Sequence, residues 1–145
     1  MTDIPENLNE IRDRLDLEPY DAELHQALGR GLLKDGNLGA ARDAYERSIV
    51  LDPADPWSYL YLGNLFYWQQ DYRQAIEQFQ HARQRGPELA IVHVCIADAY
   101  HGLGEFALAK QYYERAVEVD PNDQNAAKNL RRWQKITKDR KDHLK

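Results

Sequence analysis

Cysteine is all but missing from this chain, with Cys95 its only example. An intramolecular disulfide is therefore excluded, and so is a zinc site built from paired cysteines. No apolar run approaches the roughly 18 residues that a membrane span requires. The opening segment, MTDIPENLNE, is acidic and has no apolar core, so it does not read as a secretory signal. A cytoplasmic protein is the expectation. Also missing are a phosphate-cradling glycine loop, a dinucleotide fingerprint and a Ser-His-Asp arrangement, which argues against an enzyme and against any cofactor or small-molecule substrate.

What is present is a chain of 145 residues, sized for one domain, with 30% charged residues and a net charge of −5. The charge is unevenly spread. Residues 124–145 carry a net +6 and residues 1–123 a net −11. A basic tail on an acidic body hints at an acidic or polyanionic partner for the tail.

The sequence repeats itself at one constant step, from Leu28-Gly29 to Leu62-Gly63 to Ile96-Ala97. Ala41, Ala75 and Ala109 keep the same step. Tyr45, Phe79 and Tyr113 form a third column, and Pro53, Pro87 and Pro121 a fourth. The repeats are 22–55, 56–89 and 90–123. Within repeat two, Tyr59, Leu62, Gly63 and Phe66 mark one helical face, and Tyr72, Ala75, Ile76, Phe79 and Ala82 mark another after a Gln-Gln-Asp turn. Gly63 is expected to let the two axes approach against Ala75. Asp21, Asp55 and Asp123 stand where a carboxylate caps a helix, and Pro56 fits a first helical position. Leu89 breaks the capping column. Residues 124–140 read as a capping helix with Ala127, Leu130 and Trp133 inward. A helix over about 5–17, carrying Leu8, Ile11 and Leu15 before Pro19, reads as the second half of an incomplete repeat packed on repeat one. Gly29, Gly31 and Gly39 are expected to weaken repeat one by roughly 1 kcal/mol each where helical, making it the softest repeat. Gly36 suits a turn.

This pattern resembles the tetratricopeptide repeat, matched best in repeat two by Tyr59, Leu62, Gly63, Phe66, Ala75, Phe79, Ala82 and Pro87. The departures are His25 and Ser48 in repeat one, and His93 and Ala97 in repeat three. The resemblance implies an all-α solenoid, a right-handed superhelix of three antiparallel hairpins, with first helices lining a concave groove. The groove-facing positions it implies are Glu23, Gln26, Arg30, Leu33 and Lys34 in repeat one. Repeat two supplies Trp57, Leu60, Asn64, Tyr67 and Trp68, and repeat three Ile91, Val94, Asp98, His101 and Gly102. The family's clamp for a heat-shock chaperone's C-terminal carboxylate needs lysine, asparagine and arginine. Those places hold Gln26, Arg30, Tyr61, Ile91 and Cys95, so that function is not expected.

The segment from Trp57 to Trp68 is apolar on nearly every side, more than a hairpin can bury. Three readings of it stay open. It binds an apolar peptide or partner helix, with Asn64, Arg30 and Asp98 as polar anchors. Trp57 and Tyr61 fill gaps between repeats. The face self-associates, giving a homodimer or larger structural module. A nucleic-acid or membrane-surface role for the basic tail is the least favoured class and predicts a steep salt dependence. A metal site is not expected, since His93 and Cys95 point about 200° apart on a helix. The expectation is a binding scaffold, adaptor or assembly factor.

Fold and binding separate within this one segment. Leu62→Ala should destabilise the protein by about 2–5 kcal/mol. Trp57→Ala and Trp68→Ala should cost far less in the free protein. Thermal melts of the three variants test this. Tryptophan variants that melt as badly as Leu62→Ala would assign both rings to the core.

Overall fold

The computed structural model describes residues 3–144, and these form eight α-helices: α1 (Leu8–Leu17), α2 (Ala22–Lys34), α3 (Leu38–Leu51), α4 (Pro56–Trp68), α5 (Tyr72–Arg85), α6 (Ala90–Gly102), α7 (Phe106–Val119) and α8 (Gln124–His143). Helices α2–α3, α4–α5 and α6–α7 pair as hairpins, and each hairpin stacks on the next. The chain is an all-α helical repeat solenoid.

Caps fix the helix starts. Asp21 accepts from the Leu24 N–H at 3.0 Å, Asp55 from Trp57 at 3.2 Å, and Asp123 from Asn125 at 2.8 Å. Leu89 offers no side-chain cap to α6. The first helix begins at Leu8, later than the expected residue 5, because Asn7 caps it. The last helix runs past residue 140 to His143. Its fully buried alanine is Ala126, where Ala127 was expected, and Leu130 and Trp133 pack beside it.

The hairpin interface rests on an aromatic ring laid against glycine. A Cβ on Gly63 would stand 2.5 Å from the Phe79 ring, and one on Gly29 would stand 2.5 Å from the Tyr45 ring. So Gly63 makes room for the Phe79 ring. A Cβ on Gly31 would lie 2.5 Å from Leu8 of α1. Gly29 and Gly31 are therefore contact residues as well as helical glycines. Gly39 has open space and is the one whose cost is uncompensated.

The two departures in repeat one each have a hydrogen-bonding reason. Ser48 donates to the Ala22 carbonyl at 2.8 Å and lies 2.8 Å from the Ser58 hydroxyl. Gln26 donates to Ser58 at 2.7 Å and also to the Asp55 carboxylate. This buried network ties α2, α3 and α4 together where an alanine would tie nothing. His25 Nε2 lies 2.9 Å from the Pro19 carbonyl. In repeat three, His93 Nε2 lies 3.1 Å from Glu88. Each histidine packs with one ring nitrogen in a hydrogen bond, while Nδ1 of the buried His93 has no partner among the described residues.

The three intra-hairpin turns share one geometry. The residue that caps each second helix closes back onto the first, with Asn37 N–H to Leu32, Asp71 to Phe66 and Glu105 to Tyr100 at 2.9, 3.0 and 2.9 Å. The residue before takes positive φ: Gly36 at 77°, Gln70 at 61° and Gly104 at 79°. Gln70 is the one non-glycine in that column, and a Cβ there costs about 1–2 kcal/mol. Gln70→Gly should raise stability by about 0.5–1 kcal/mol after glycine's extra freedom in the unfolded chain is subtracted. A thermal melt checks it, and an unchanged or lowered midpoint would show the strain to be absent.

Candidate functional site

Successive first helices α2, α4, α6 and α8 touch one another, whereas among the described residues successive second helices do not. The spacing is tighter along the first helices, so they line the inside of the curved stack. The expected groove residues lie on these helices, and the structure sorts them into three sets.

Three face inward to the core and are corrected as groove residues. Gln26 is held in the network with Ser58 and Asp55, and Leu60 and Val94 are buried apolar side chains at 4% and 5% exposure. A second set lies toward the N-terminal end. Arg30 and Lys34 are exposed and Leu33 is half-buried. The Arg30 guanidinium sits 5.5 Å from the centroid of the Tyr61 ring. Tyr61 stacks on Tyr45 of the preceding repeat at 5.8 Å and contacts Trp57 at 6.4 Å. Tyr61 fills the gap between repeats, while Trp57 leans on it and stays 43% exposed.

The third set converges. Asn64, Tyr67, Trp68, Ile91 and Asp98 line one cavity of about 300 Å³ between α4 and α6, together with Cys95 and the Phe79 ring. Trp68 is 74% exposed and Ile91 41%. Burial pushes the Cys95 thiol up to about 12, so it is a protonated, unreactive wall. Its Sγ lies 3.8 Å from the Asn64 side-chain oxygen.

This cavity continues into a second one of about 180 Å³ that shares Tyr67 and Asp98. Its other walls are His101, Tyr113, Asn129, Arg132, Trp133 and Ile136. The Tyr113 hydroxyl donates to the Asp98 carboxylate. Burial pushes the Asp98 carboxyl above the ordinary carboxylate range, against that hydrogen bond and the charges of His101 and Arg132. The same burial and the facing Asp98 raise the Tyr113 phenol. The Trp133 indole N–H is buried without a hydrogen-bond partner. The polar end of the groove is thus closed by α8, whose Asn129, Arg132, Trp133 and Ile136 were absent from the expected site. For Arg132 a signal was available: it follows Asp98 by one repeat length, as Asp98 follows Asn64 and Asn64 follows Arg30.

Among the described residues no group of three or more His, Cys, Asp and Glu side chains is placed to hold a metal ion. No helix among them is long and apolar enough to cross a membrane.

Comparison with known proteins follows this geometry. Tetratricopeptide repeat models match residues 90–123 and 57–87, and a TPR repeat model matches residues 29–70. Human protein O-mannosyl-transferase TMTC1 is 28% identical over 120 residues, which is 80% of this chain and 14% of that protein. This chain therefore corresponds to a small part of that relative's length. Among solved structures, YrrB, a TPR protein with an unusual peptide-binding site, superposes with a TM-score of 0.75 at 22% identity, covering 86% of this chain and 64% of YrrB. The first TPR of Spaghetti (RPAP3), bound to the HSP90 peptide SRMEEVD, gives 0.73 at 22% identity, covering 80% of this chain and 92% of that one. The constant repeat register, the stacked hairpins and the three matching models agree, and the chain belongs to the tetratricopeptide repeat family.

Proposed function

We propose that this chain is a protein-interaction scaffold, not an enzyme, and that it takes an apolar peptide or partner helix in the groove between α4 and α6. One observation carries the reading. Trp68 and Ile91 stay exposed at the rim of a cavity floored by buried aromatic surface, with Trp57 exposed further along the same helix as Trp68. Large aromatic side chains at a concave, polar-edged site are the usual anchors of a protein interface. Asn64 and Asp98 are placed to hold a ligand's backbone or a donor group. YrrB and the Spaghetti domain support a peptide ligand in kind. The ligand chemistry differs from an acidic carboxylate tail, since the clamp positions here hold Gln26, Tyr61, Ile91 and Cys95 beside the single cation Arg30.

Peptides selected on this protein from a random displayed library provide the test. Trp68→Ala should weaken the selected peptides by about 2 kcal/mol or more, near thirtyfold, while melting close to the parent protein. Normal binding by both Trp57→Ala and Trp68→Ala would place the ligand elsewhere. A change in solution mass, with peptide affinity intact, would favour the homo-oligomer through the same face.

Asp98 gives a second test. Its folded-state pKa is raised, so its contribution to stability is fully present below the unfolded pKa and is lost as pH rises through the folded one. Asp98→Asn keeps an acceptor for Tyr113 and removes that loss. It should melt higher than the parent near pH 7, with the gain shrinking as the pH falls through the raised folded pKa and gone below about 4. It should also bind more weakly any selected peptide that presents a cation. A variant that melts lower at pH 7 would show that the charge stabilises the fold.

A further inference from the structure

The smaller cavity, at the polar end of the groove, is lined by hydrogen-bonding groups that the fold leaves unused. The Tyr113 hydroxyl donates to Oδ1 of Asp98, and among the described residues nothing donates to Oδ2. Arg132 of α8 lines the same cavity. Its charge acts on Asp98, yet among the described residues the two form no ion pair. The Trp133 indole N–H is buried without a partner. Asn129 adds both a donor and an acceptor to the wall. Groups suited to an anion and a group suited to a cation therefore share one small space without pairing.

Resting on the groove as the peptide site, we infer that this cavity is a subsite for a primary carboxamide, the side chain of an asparagine or glutamine in the bound segment. It adjoins the apolar cavity through Tyr67 and Asp98, so one ligand would reach both. At about 180 Å³ it is smaller than the roughly 300–1,000 Å³ of a small-molecule pocket, which suits a single side chain.

Charge selects among the side chains that a ligand could offer. A carboxylate would suit Arg132 and the indole N–H but would face the carboxylate of Asp98. An ammonium or guanidinium would suit Asp98 but would face Arg132 and leave the indole N–H unpaired. An apolar group would displace water from these atoms and return none of its hydrogen bonds. A carboxamide meets both sides without a net charge. Its oxygen accepts from Arg132 or Trp133, and its NH₂ donates to Oδ2 of Asp98. Asp98 and Arg132 act as opposite filters, each rejecting the ligand charge that the other attracts.

Three probes that differ in their head group test this: propionamide, propionate and propylammonium, each at up to about 0.1 M because fragments this small bind weakly. The readout is the Trp133 indole resonance in a proton–nitrogen correlation spectrum, identified by its loss in Trp133→Phe, with Trp57 and Trp68 as internal controls. Propionamide should shift it saturably and bind at least about tenfold more tightly than either ion. The two filters should then switch separately. Asp98→Asn should move the preference to propionate and Arg132→Leu to propylammonium, each in a protein with the parent's circular dichroism. Absence of a saturable shift with propionamide overturns the subsite. So does a parent that prefers either ion, or variants that both keep the parent's preference. In peptides selected on the protein, a recurrent Asn or Gln is expected beside the apolar anchor, and replacing it by Glu or Lys should weaken binding about tenfold. Selected peptides that need Trp68 but no carboxamide would overturn the subsite and leave the groove standing. Propionamide binding, with selected peptides indifferent to Trp57→Ala and Trp68→Ala, would keep the subsite and remove the apolar groove.

Discussion

Two rings lying on two glycines set the geometry of this molecule: Tyr45 on Gly29 and Phe79 on Gly63, each with no room for a methyl group between. That contact brings the helices of a hairpin close and leaves one face of each to stack on the next repeat. Repeat three keeps the ring but places Ala97 where the glycine stood, and Tyr113 sends its hydroxyl to Asp98. The interface of repeat three is thereby linked to the polar end of the groove. The same ring column that holds the fold together supplies a wall of the site, Tyr113 at one cavity and Phe79 at the other.

Because hairpins and stacking occupy fixed columns, the remaining positions of the first helices are free to vary. Their ninth-position column reads Arg30, Asn64, Asp98 and Arg132, polar groups of differing charge along one inner surface. Between them the apolar side chains change from core filling to exposure over a short distance. Tyr61 is wedged against Tyr45, whereas Trp68, on the same helix, is 74% exposed. The half-buried carboxyl of Asp98, its pKa raised by burial, is a costly group for a fold to carry, and such groups concentrate at functional sites.

The fold could be read from the sequence because its signals are local and repeated: proline after each second helix, aspartate before most of the next first helices, small and aromatic residues at constant spacing. Positions within a helix were harder. Family geometry assigned Gln26, Leu60 and Val94 to the groove, but a side chain's direction also depends on its neighbours. Ser48 on α3 and Ser58 on α4 give Gln26 a buried network to turn toward, and neither is near it in the chain. The contribution of α8 was missed for another reason. Its sequence reads as a polar cap, and although Arg132 keeps the register of Asp98, the place of Trp133 in the cavity that Tyr67 and Asp98 open shows only in packing. Composition marked Gly29 and Gly31 only as helix-weakening residues, and packing adds the close contacts that require them.

All three tryptophans of the chain, Trp57, Trp68 and Trp133, lie on the first-helix side of the stack. Their emission therefore reports on the groove side. Titrating the protein with a peptide selected to bind it, while following emission and acrylamide quenching, tests the central claim most directly. A ligand seated between α4 and α6 should shift the emission to shorter wavelength and shield the indoles, with the larger part of the change lost in Trp68→Phe. Saturating binding with unchanged emission and quenching would contradict the account, because no occupant of that groove can avoid Trp68.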